Sequence, residues 1–213
     1  GNAWQYLCLV PQDPEGLIEL LGGDDAFNEK LDELFSMSSE QEIGASMDIT
    51  GLIGQYAHGN EPSHHTTYMY AFSGQPYKIA DKVRYINNEL YTDKPDGLSG
   101  NEDCGQMSAW YILSSMGFYP VNPSNGAYVF GSPLFDEVVL DIPGQKQFKI
   151  SAKNNSDKNI YIQSVSLNGE EHKYSYITHK EILKGGELEF TMGPKPNKDF
   201  GKEKKYRPES IVY

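Results

Sequence analysis

Apolar residues recur at helical spacing through the first half of the chain. Four of them in residues 27–35, and four more in residues 79–90, fall on one face of a helix. Asp13 followed by Pro14 is typical of a helix start. The predicted helices cover residues 14–21, a segment that begins at residue 24 or 25, and residues 62–72, 76–91 and 105–116. A loop with one short apolar segment at residues 49–56 precedes the helix over residues 62–72.

The pattern changes after Pro120 to short runs of β-forming residues separated by glycine, proline and asparagine. Asn168 followed by Gly169 is a strong signal for a two-residue hairpin, and Thr178 with Glu181 predicts a capping box before a short helix. The predicted strands cover residues 128–130, 137–142, 148–152, 159–167 and 187–192, and the lysine-rich residues 195–205 are predicted as a solvated tail. We therefore expect an α+β protein, helical over residues 1–123 and β-rich over 124–213.

Composition narrows the classes of partner. The 213 residues suffice for one large domain or two small ones, and a formal net charge of -12 disfavours nucleic acids and anionic membrane surfaces. Neutral sugars and cations are compatible with that charge. No apolar run approaches the roughly 18 residues that a membrane-spanning helix needs. Cys8 and Cys104 show no metal-site spacing, so we expect two buried, unpaired thiols. The start at Gly1, inside an aromatic-rich segment, predicts a piece of a longer protein.

The loop over residues 97–105 concentrates polar side chains at a helix entrance. It holds Asn101, Glu102 and Asp103 between glycines, directly before an apolar helix. Two carboxylates and an amide form a compact set of oxygen ligands, which suits a hard cation, a general base or both. The alternative is that Asp103 or Asn101 only caps the helix, since both residue types favour that position. A cap needs one acceptor and the loop supplies three, which favours a functional role.

A second polar turn, residues 58–65, reads H-G-N-E-P-S-H-H. Asn60 and Glu61 could join the first loop in offering a calcium ion several oxygens, with water completing the six to eight ligands that it prefers. Zinc is a lesser alternative, because His64 and His65 would diverge on a helix and no zinc motif accompanies them. We expect these two histidines to pack or to hydrogen-bond behind the site, with His64 as a further candidate for substrate binding.

A third cluster, Trp4, Gln5 and Tyr6, lies near the start of the chain. The two aromatic residues are either core residues or a sugar-stacking wall around Gln5. Other catalytic signatures are missing, since the sequence has no G-x-S-x-G elbow, phosphate loop or dinucleotide fingerprint.

Three motifs in order, G-N-A-W-Q-Y, H-G-N-E-P-S-H-H and G-N-E-D-C-G-Q-M-S-A-W-Y, resemble glycoside hydrolase family 92. This family comprises calcium-dependent, inverting exo-α-mannosidases, most often α-1,2-mannosidases that trim glycans such as N-glycans. The resemblance implies that residues 1–123 form part of an (α/α)6 barrel built from helical hairpins, followed by a small antiparallel β domain. The preceding part of the barrel and an N-terminal β-sandwich would be missing, and the chain alone would be inactive.

The resemblance also implies roles for individual residues. Asp103 matches the general base, which also contacts calcium, and Asn60 with Glu61 matches the other calcium contacts. Calcium would bind the 2- and 3-hydroxyls of the terminal mannose. Asn101 stands where some members have a second aspartate that assists the base. Gln5 stands where α-1,2-mannosidases place a glutamate as general acid, and an amide cannot donate a proton.

The expected protein is therefore a secreted or periplasmic bacterial α-mannosidase that acts on mannose-containing glycans. Two alternatives stay open. One is a member of the same family that cleaves mannosyl-phosphate linkages, whose leaving group needs no acid. The other is a non-catalytic module that binds carbohydrate or calcium.

Overall fold

The computed structural model describes residues 1–41 and 44–211, with helices in the first half and sheets in the second. The α-helices are α1 (Ala3–Tyr6), α2 (Pro14–Leu20), α3 (Asp24–Ser36), α4 (Tyr77–Glu89), α5 (Gln106–Met116) and α6 (His179–Ile182). The strands are β1 (Leu52–Ile53), β2 (Tyr56–Ala57), β3 (Phe118–Tyr119), β4 (Ala127–Phe130), β5 (Glu137–Ile142), β6 (Lys146–Lys153), β7 (Tyr161–Leu167), β8 (Glu170–Glu171), β9 (Tyr176–Thr178) and β10 (Gly186–Gly193). Short 3₁₀ turns occupy Glu61–Ser63, Thr66–Ala71, Pro123–Asn125 and Lys204–Tyr206.

Helices α3 and α4 confirm the periodicity of the sequence, and α2 and α5 lie within the other predicted helical ranges. Asp13 accepts a hydrogen bond from the N–H of Gly16, so α2 begins at the predicted cap. In α3 the predicted apolar face is buried, with Phe27 and Leu31 each 1% exposed. The short apolar segment before residue 57 forms the hairpin of β1 and β2. Residues 42 and 43, within the predicted loop, lie outside the described residues.

The predicted helix over residues 62–72 is wrong in type. The chain forms two 3₁₀ turns there, Glu61–Ser63 and Thr66–Ala71, with N–H groups bonded three residues back, as from Tyr68 to His65 at 3.0 Å. Every residue of Thr66–Ala71 is buried, so this segment packs on all sides instead of presenting one apolar face. Packing from several directions, rather than amphipathic periodicity, sets its conformation.

The main sheet has five strands in the order β5-β6-β10-β7-β8, and a second sheet has the order β3-β4-β9. The main sheet is mixed rather than wholly antiparallel, because β10 runs parallel to β6. The long connection through β7, β8, β9 and α6 makes this crossover possible. The hairpin at Asn168 and Gly169 is confirmed, since β7 and β8 pair across it. The capping box of Thr178 and Glu181 is confirmed as well.

Two hydrophobic cores interlock near the predicted boundary at residue 123. Val121 and Val129 belong to the core of the helical part, whereas Phe118 and Phe130 belong to the core under the main sheet. The fold class is thus a mixture of helix and sheet whose parts share the segment from α5 to β4. None of the helices in the described ranges is long and apolar enough to cross a membrane.

The C-terminal segment is anchored and is not a free tail. Its lysine side chains are exposed, as predicted. Within residues 195–205 the chain is bonded to β7, since Gln163 Nε2 donates to the carbonyl oxygen of Lys195 at 2.9 Å. Just beyond them Arg207 Nη1 donates to Asp24 Oδ2 of the helical part at 2.8 Å. The predicted exposure of the lysines is confirmed, whereas the predicted free tail is wrong because of these long-range contacts.

Candidate active site

Close backbone contact brings the two polar loops together. A Cβ added to Gly100 would lie 2.4 Å from the carbonyl oxygen of Gly59, so the loop over residues 97–105 lies directly on the turn over residues 58–65. Helix α1 packs against the same turn. All three sequence motifs therefore meet on one side of the helical part.

Glu102 supplies the stabilising contact at the start of α5. Its carboxylate accepts hydrogen bonds from the Ser108 hydroxyl at 2.8 Å and from the Ser108 N–H at 3.2 Å. Helix α5 has Gly105 at its N-cap position, with no side-chain cap bond. The capping role considered for Asp103 or Asn101 thus belongs to Glu102, which removes it from the set of free ligands.

Asp103 is presented to solvent by an unusual backbone. Asp103, Cys104 and Gly105 have consecutive positive φ angles of 47°, 59° and 93°. Two non-glycine residues in this region are uncommon, and such strained positions cluster at functional sites. Asn101 is also exposed, and no hydrogen bond of its side chain occurs within the described residues. The loop therefore leaves both side chains available.

Asn60 and Glu61 carry buried oxygens that lack partners. Asn60 Oδ1 and Glu61 Oε1 are inaccessible to solvent and have no hydrogen bond to any described residue. Burial is the largest cause that raises the pKa of Glu61, and a hydrogen bond to its own backbone lowers it. A side-chain hydrogen bond with the adjacent Asp103 carboxyl group, together with the charge of that group, raises the pKa further. Unsatisfied buried acceptors are costly unless a ligand supplies a donor or a cation.

These atoms fit a hard cation better than a transition metal. Across residues 1–41 and 44–211, no three His, Cys, Asp or Glu side chains form a group that could hold a metal ion. The carboxylates of Glu61 and Asp103 lie beside each other, and the Asn60 amide directly precedes Glu61 in the chain; all three offer oxygen donors of the kind that calcium takes. Such a set is incomplete by itself, so further ligands would come from water or from a substrate.

Three neutral histidines support this turn from inside. Burial, with a smaller effect of His64, lowers the pKa of His58 to about 2, and burial lowers the pKa of His64 to about 4. His58 accepts from the Tyr56 hydroxyl at 2.8 Å and donates to the Tyr91 hydroxyl at 2.7 Å, because Tyr91 gives its own proton to the Met107 carbonyl.

His64 is satisfied within the protein. Its Nε2–H donates to the His58 carbonyl oxygen at 2.9 Å, and its Nδ1 accepts from Gln106 at 3.1 Å. His65 donates to the carbonyl oxygen of Cys8 at 2.5 Å, which ties the end of α1 to the turn. The packing role expected for both histidines matches this arrangement, and substrate contact by His64 stays a prediction.

The cluster near the chain start is divided by the structure. Trp4 is half-buried against the helical core with Lys30 Nζ 3.8 Å from its ring centroid, whereas Tyr6 is 53% exposed. Gln5 Oε1 accepts from the N–H of Asn2 at 2.9 Å, and its Nε2 is buried without a partner. Gln5 and Tyr6 line a cavity of about 200 Å³ that Asn60 also lines.

The sequence analysis did not identify Asp48, which lines the same cavity. It also missed Tyr91 and Gln106, which hold His58 and His64. Asp48 lies in a loop without periodicity, so no pattern marked it. Gln106 does stand inside the third motif and could have been noted. Cys104 corrects a further expectation: both cysteines are free, but only Cys8 is buried, because the Asp103 loop turns Cys104 outward.

Known proteins resemble this chain in sequence and in fold. The glycosyl hydrolase family 92 catalytic domain matches residues 1–194. An uncharacterized secreted glycosidase of Arthroderma benhamiae is 32% identical over 196 residues, which cover 91% of this chain and 23% of that protein.

Two solved structures from Bacteroides thetaiotaomicron are also similar. A family GH92 alpha-mannosidase in complex with mannoimidazole superposes with a TM-score of 0.93 and 41% identity over 99% of this chain and 28% of its own. A family GH92 inverting mannosidase superposes with a TM-score of 0.86 and 39% identity over 99% of this chain and 30% of its own.

The chain thus spans between about a fifth and a third of the length of these relatives. Within that span the three motifs, the loop contact and the unpaired oxygens lie together. The chain belongs to glycosyl hydrolase family 92.

Proposed function

We propose that this chain carries the cation-binding and base-bearing part of an exo-acting α-mannosidase that inverts the configuration of the released sugar. The proposal depends on two buried oxygens, Asn60 Oδ1 and Glu61 Oε1, that have no hydrogen-bond partner, and on the Asp103 carboxylate beside Glu61. In this proposal residues 1–123 complete an (α/α)6 barrel and the rest forms a β domain. The family membership and the named relatives support it.

Calcium is the cofactor that this donor set fits, with Asn60, Glu61 and Asp103 as its protein ligands. Bound there, the cation would hold two vicinal hydroxyls of a mannose ring and favour charge development at the anomeric carbon. The axial 2-hydroxyl of mannose makes such binding selective. The histidine layer keeps Glu61 in place, since His64 and His65 fix the far end of its turn.

Asp103 is the proposed general base. Its exposed carboxylate takes a proton from water, and the water oxygen attacks the anomeric carbon on the face opposite the leaving group. Asn101, on the same loop, can orient that water by hydrogen bonding. In an inverting enzyme the acid lies about 6.5–9.5 Å from the base, which leaves room for the water. Gln5 cannot supply that acid, and it can only donate a hydrogen bond to the leaving oxygen.

The residues that line the cavity beside Gln5 indicate which leaving group the site would accept. Gln5, Asn60 and Asp48 line it, and the Gln5 Nε2 has no hydrogen-bond partner among the described residues. No Lys, Arg or His is among the described residues that line it. This set suits sugar hydroxyls and repels phosphate, which favours a neutral glycan such as α-1,2-linked mannose. Tyr6 offers a ring at its rim.

A mannosyl phosphate is the second candidate, and one observation favours it. Gln5 is an amide, and a phosphate leaves as a stable anion without protonation. The charge of Asp48 argues against it, so the two candidates differ in a measurable preference. The remaining parts of the proposal are an N-terminal β-sandwich of the same protein and a secreted or periplasmic location, which the secreted relative supports.

The test uses the protein with the rest of its catalytic domain. It should release mannose from α-1,2-mannobiose only with calcium present, and proton NMR of the fresh product should show the inverted β-anomer. Asp103→Asn should lower kcat by at least about 10²-fold, the usual size of a general-base effect. Asp96→Asn, an exposed acid just before the same loop, is the matched control.

Full activity of Asp103→Asn would refute the base assignment. Calcium binding without hydrolysis of any mannoside would instead identify a non-catalytic module.

A further inference from the structure

Neither Gly59 nor Gly100 has room for a side chain. A Cβ on Gly100 would lie 2.4 Å from the carbonyl oxygen and 2.7 Å from the Cα of Gly59. A Cβ on Gly59 would lie 1.9 Å from Thr50 Oγ1 and 3.0 Å from the carbonyl oxygen of Ser99. Neither glycine has a positive φ angle, so lack of space, not backbone conformation, excludes alanine.

The hairpin of β1 and β2 fixes one side of this contact. The N–H of Gly59 donates to the carbonyl oxygen of Thr50 at 3.0 Å, and the N–H of His58 donates to that of Gly51 at 3.0 Å. Asn60 follows Gly59 directly, and Asp103 lies three residues beyond Gly100. A displacement at the contact therefore reaches the candidate ligands within one to three residues.

We propose that Gly59 and Gly100 are positioning residues whose direct backbone contact sets the separation between the Asn60 and Glu61 turn and the Asp103 loop. The role given to the three ligands rests on the proposed function, whereas the steric requirement does not. A lengthened separation would leave each ligand intact and prevent all three from reaching one cation. Displacements of about 1 Å are enough to lower catalysis by about 10²-fold.

The two glycines differ in a way that makes the proposal testable. The neighbours of an alanine at position 100 are backbone atoms of Gly59, which no substitution removes. The nearest neighbour of an alanine at position 59 is the Thr50 hydroxyl, which Thr50→Ala removes. That hydroxyl has no hydrogen-bond partner within the described residues, so its loss alone should be harmless.

The experiment compares Gly59→Ala, Gly100→Ala, Thr50→Ala and the two double variants that combine Thr50→Ala with each glycine substitution, all in the whole catalytic domain. Terbium luminescence and the calcium-induced rise in Tm report metal binding, and kcat/KM on an aryl mannoside reports function. Both glycine variants should bind metal about 10- to 100-fold more weakly, as after loss of supporting contacts around ligands. Thr50→Ala should restore part of the metal affinity of Gly59→Ala, because the Ser99 carbonyl oxygen and the Cβ at position 50 still lie 3.0 and 3.1 Å from the added Cβ. It should restore none of the affinity of Gly100→Ala.

Gly193→Ala in β10 is the control for a glycine substitution outside the site. Its nearest neighbour is the Gln163 side chain at 2.8 Å, so it should lower Tm at most and keep the metal response. An unchanged calcium response in Gly100→Ala, or no rescue of Gly59→Ala, would overturn the proposal. If Gly100→Ala does not fold, the comparison of Gly59→Ala with its Thr50→Ala double variant decides the proposal.

A wild-type protein without calcium response or hydrolysis would refute the proposed function alone. The steric requirement would then be tested by the Tm of the variants without metal. Thr50→Ala should raise the Tm of Gly59→Ala and should not raise that of Gly100→Ala.

Discussion

Acidification should destabilise the fold through His58. His58 is completely buried, and its pKa falls from the ordinary value of about 6.5 to about 2. The unfolded chain therefore binds a proton that the folded chain excludes, throughout the range between these values. Because the unfolded state binds more protons there, stability rises with pH and is lost as pH falls below about 6.5.

The size of the effect follows from the two pKa values. Between pH 7.5 and 5.0, protonation of His58 in the unfolded chain costs the fold about 2 kcal/mol. His64, with a folded pKa of about 4, adds about 2 kcal/mol over the same interval. Both figures are insensitive to the folded pKa as long as it stays well below 5. Together they are a large share of the 5–15 kcal/mol that stabilises a typical domain.

The assay is urea denaturation at pH 7.5 and 5.0, for wild type and His58→Gln. Glutamine can accept from Tyr56 and donate to Tyr91 as His58 does, but it does not titrate. Its loss of stability on acidification should be smaller than that of wild type by about 2 kcal/mol. His179→Gln, at the exposed start of α6, is the control for removal of a histidine. Equal losses in wild type and His58→Gln would refute the reasoning.

Three further predictions concern the site. Glu102→Ala should lower the stability of α5 by about 1 kcal/mol in thermal denaturation, because both bonds to Ser108 are lost; an unchanged Tm would show that the bonds contribute nothing. The chain alone should not hydrolyse mannosides, since it spans only 28% of a related mannosidase, and turnover by the isolated chain would show a complete site within it. Gln5→Glu should accelerate mannobiose hydrolysis more than aryl mannoside hydrolysis if Gln5 occupies the acid position. No gain would indicate that another residue donates the proton.

The sequence predicted those elements whose pattern has a local cause. Helix α3 followed from four apolar positions, α2 from its cap, and the hairpin at Asn168 from its turn residues. The turns of Thr66–Ala71 did not follow, because burial on every side erases the amphipathic pattern that marks a helix. The parallel pairing of β6 and β10 was likewise beyond local signals, since it depends on a crossover through four other elements.

The candidate site shows the same division. Asn60, Glu61 and Asp103 were identified because carboxylates and amides beside glycines at helix entrances are unusual. Their meeting depends on Gly59 and Gly100, and a glycine in sequence does not reveal what lies against it. Glu102 was grouped with the ligands by proximity in sequence, and only the structure shows that Ser108 occupies it. Asp48 reaches the cavity from a loop that has no pattern at all.

Hydrogen-bond satisfaction separates the supporting residues from the ones that meet a ligand. His58, His64 and His65 are each buried and each bonded within the protein, so the layer behind the site is complete without any other molecule. In front of that layer, Asn60 and Glu61 bury oxygens that have no partner. Each such atom costs about 1–3 kcal/mol while it has no partner, and a bound ligand would remove that cost. The histidines are fully hydrogen-bonded and hold the turn of Asn60 and Glu61 near Asp103. This is the arrangement expected of a binding site whose ligand supplies the missing hydrogen bonds or metal contacts.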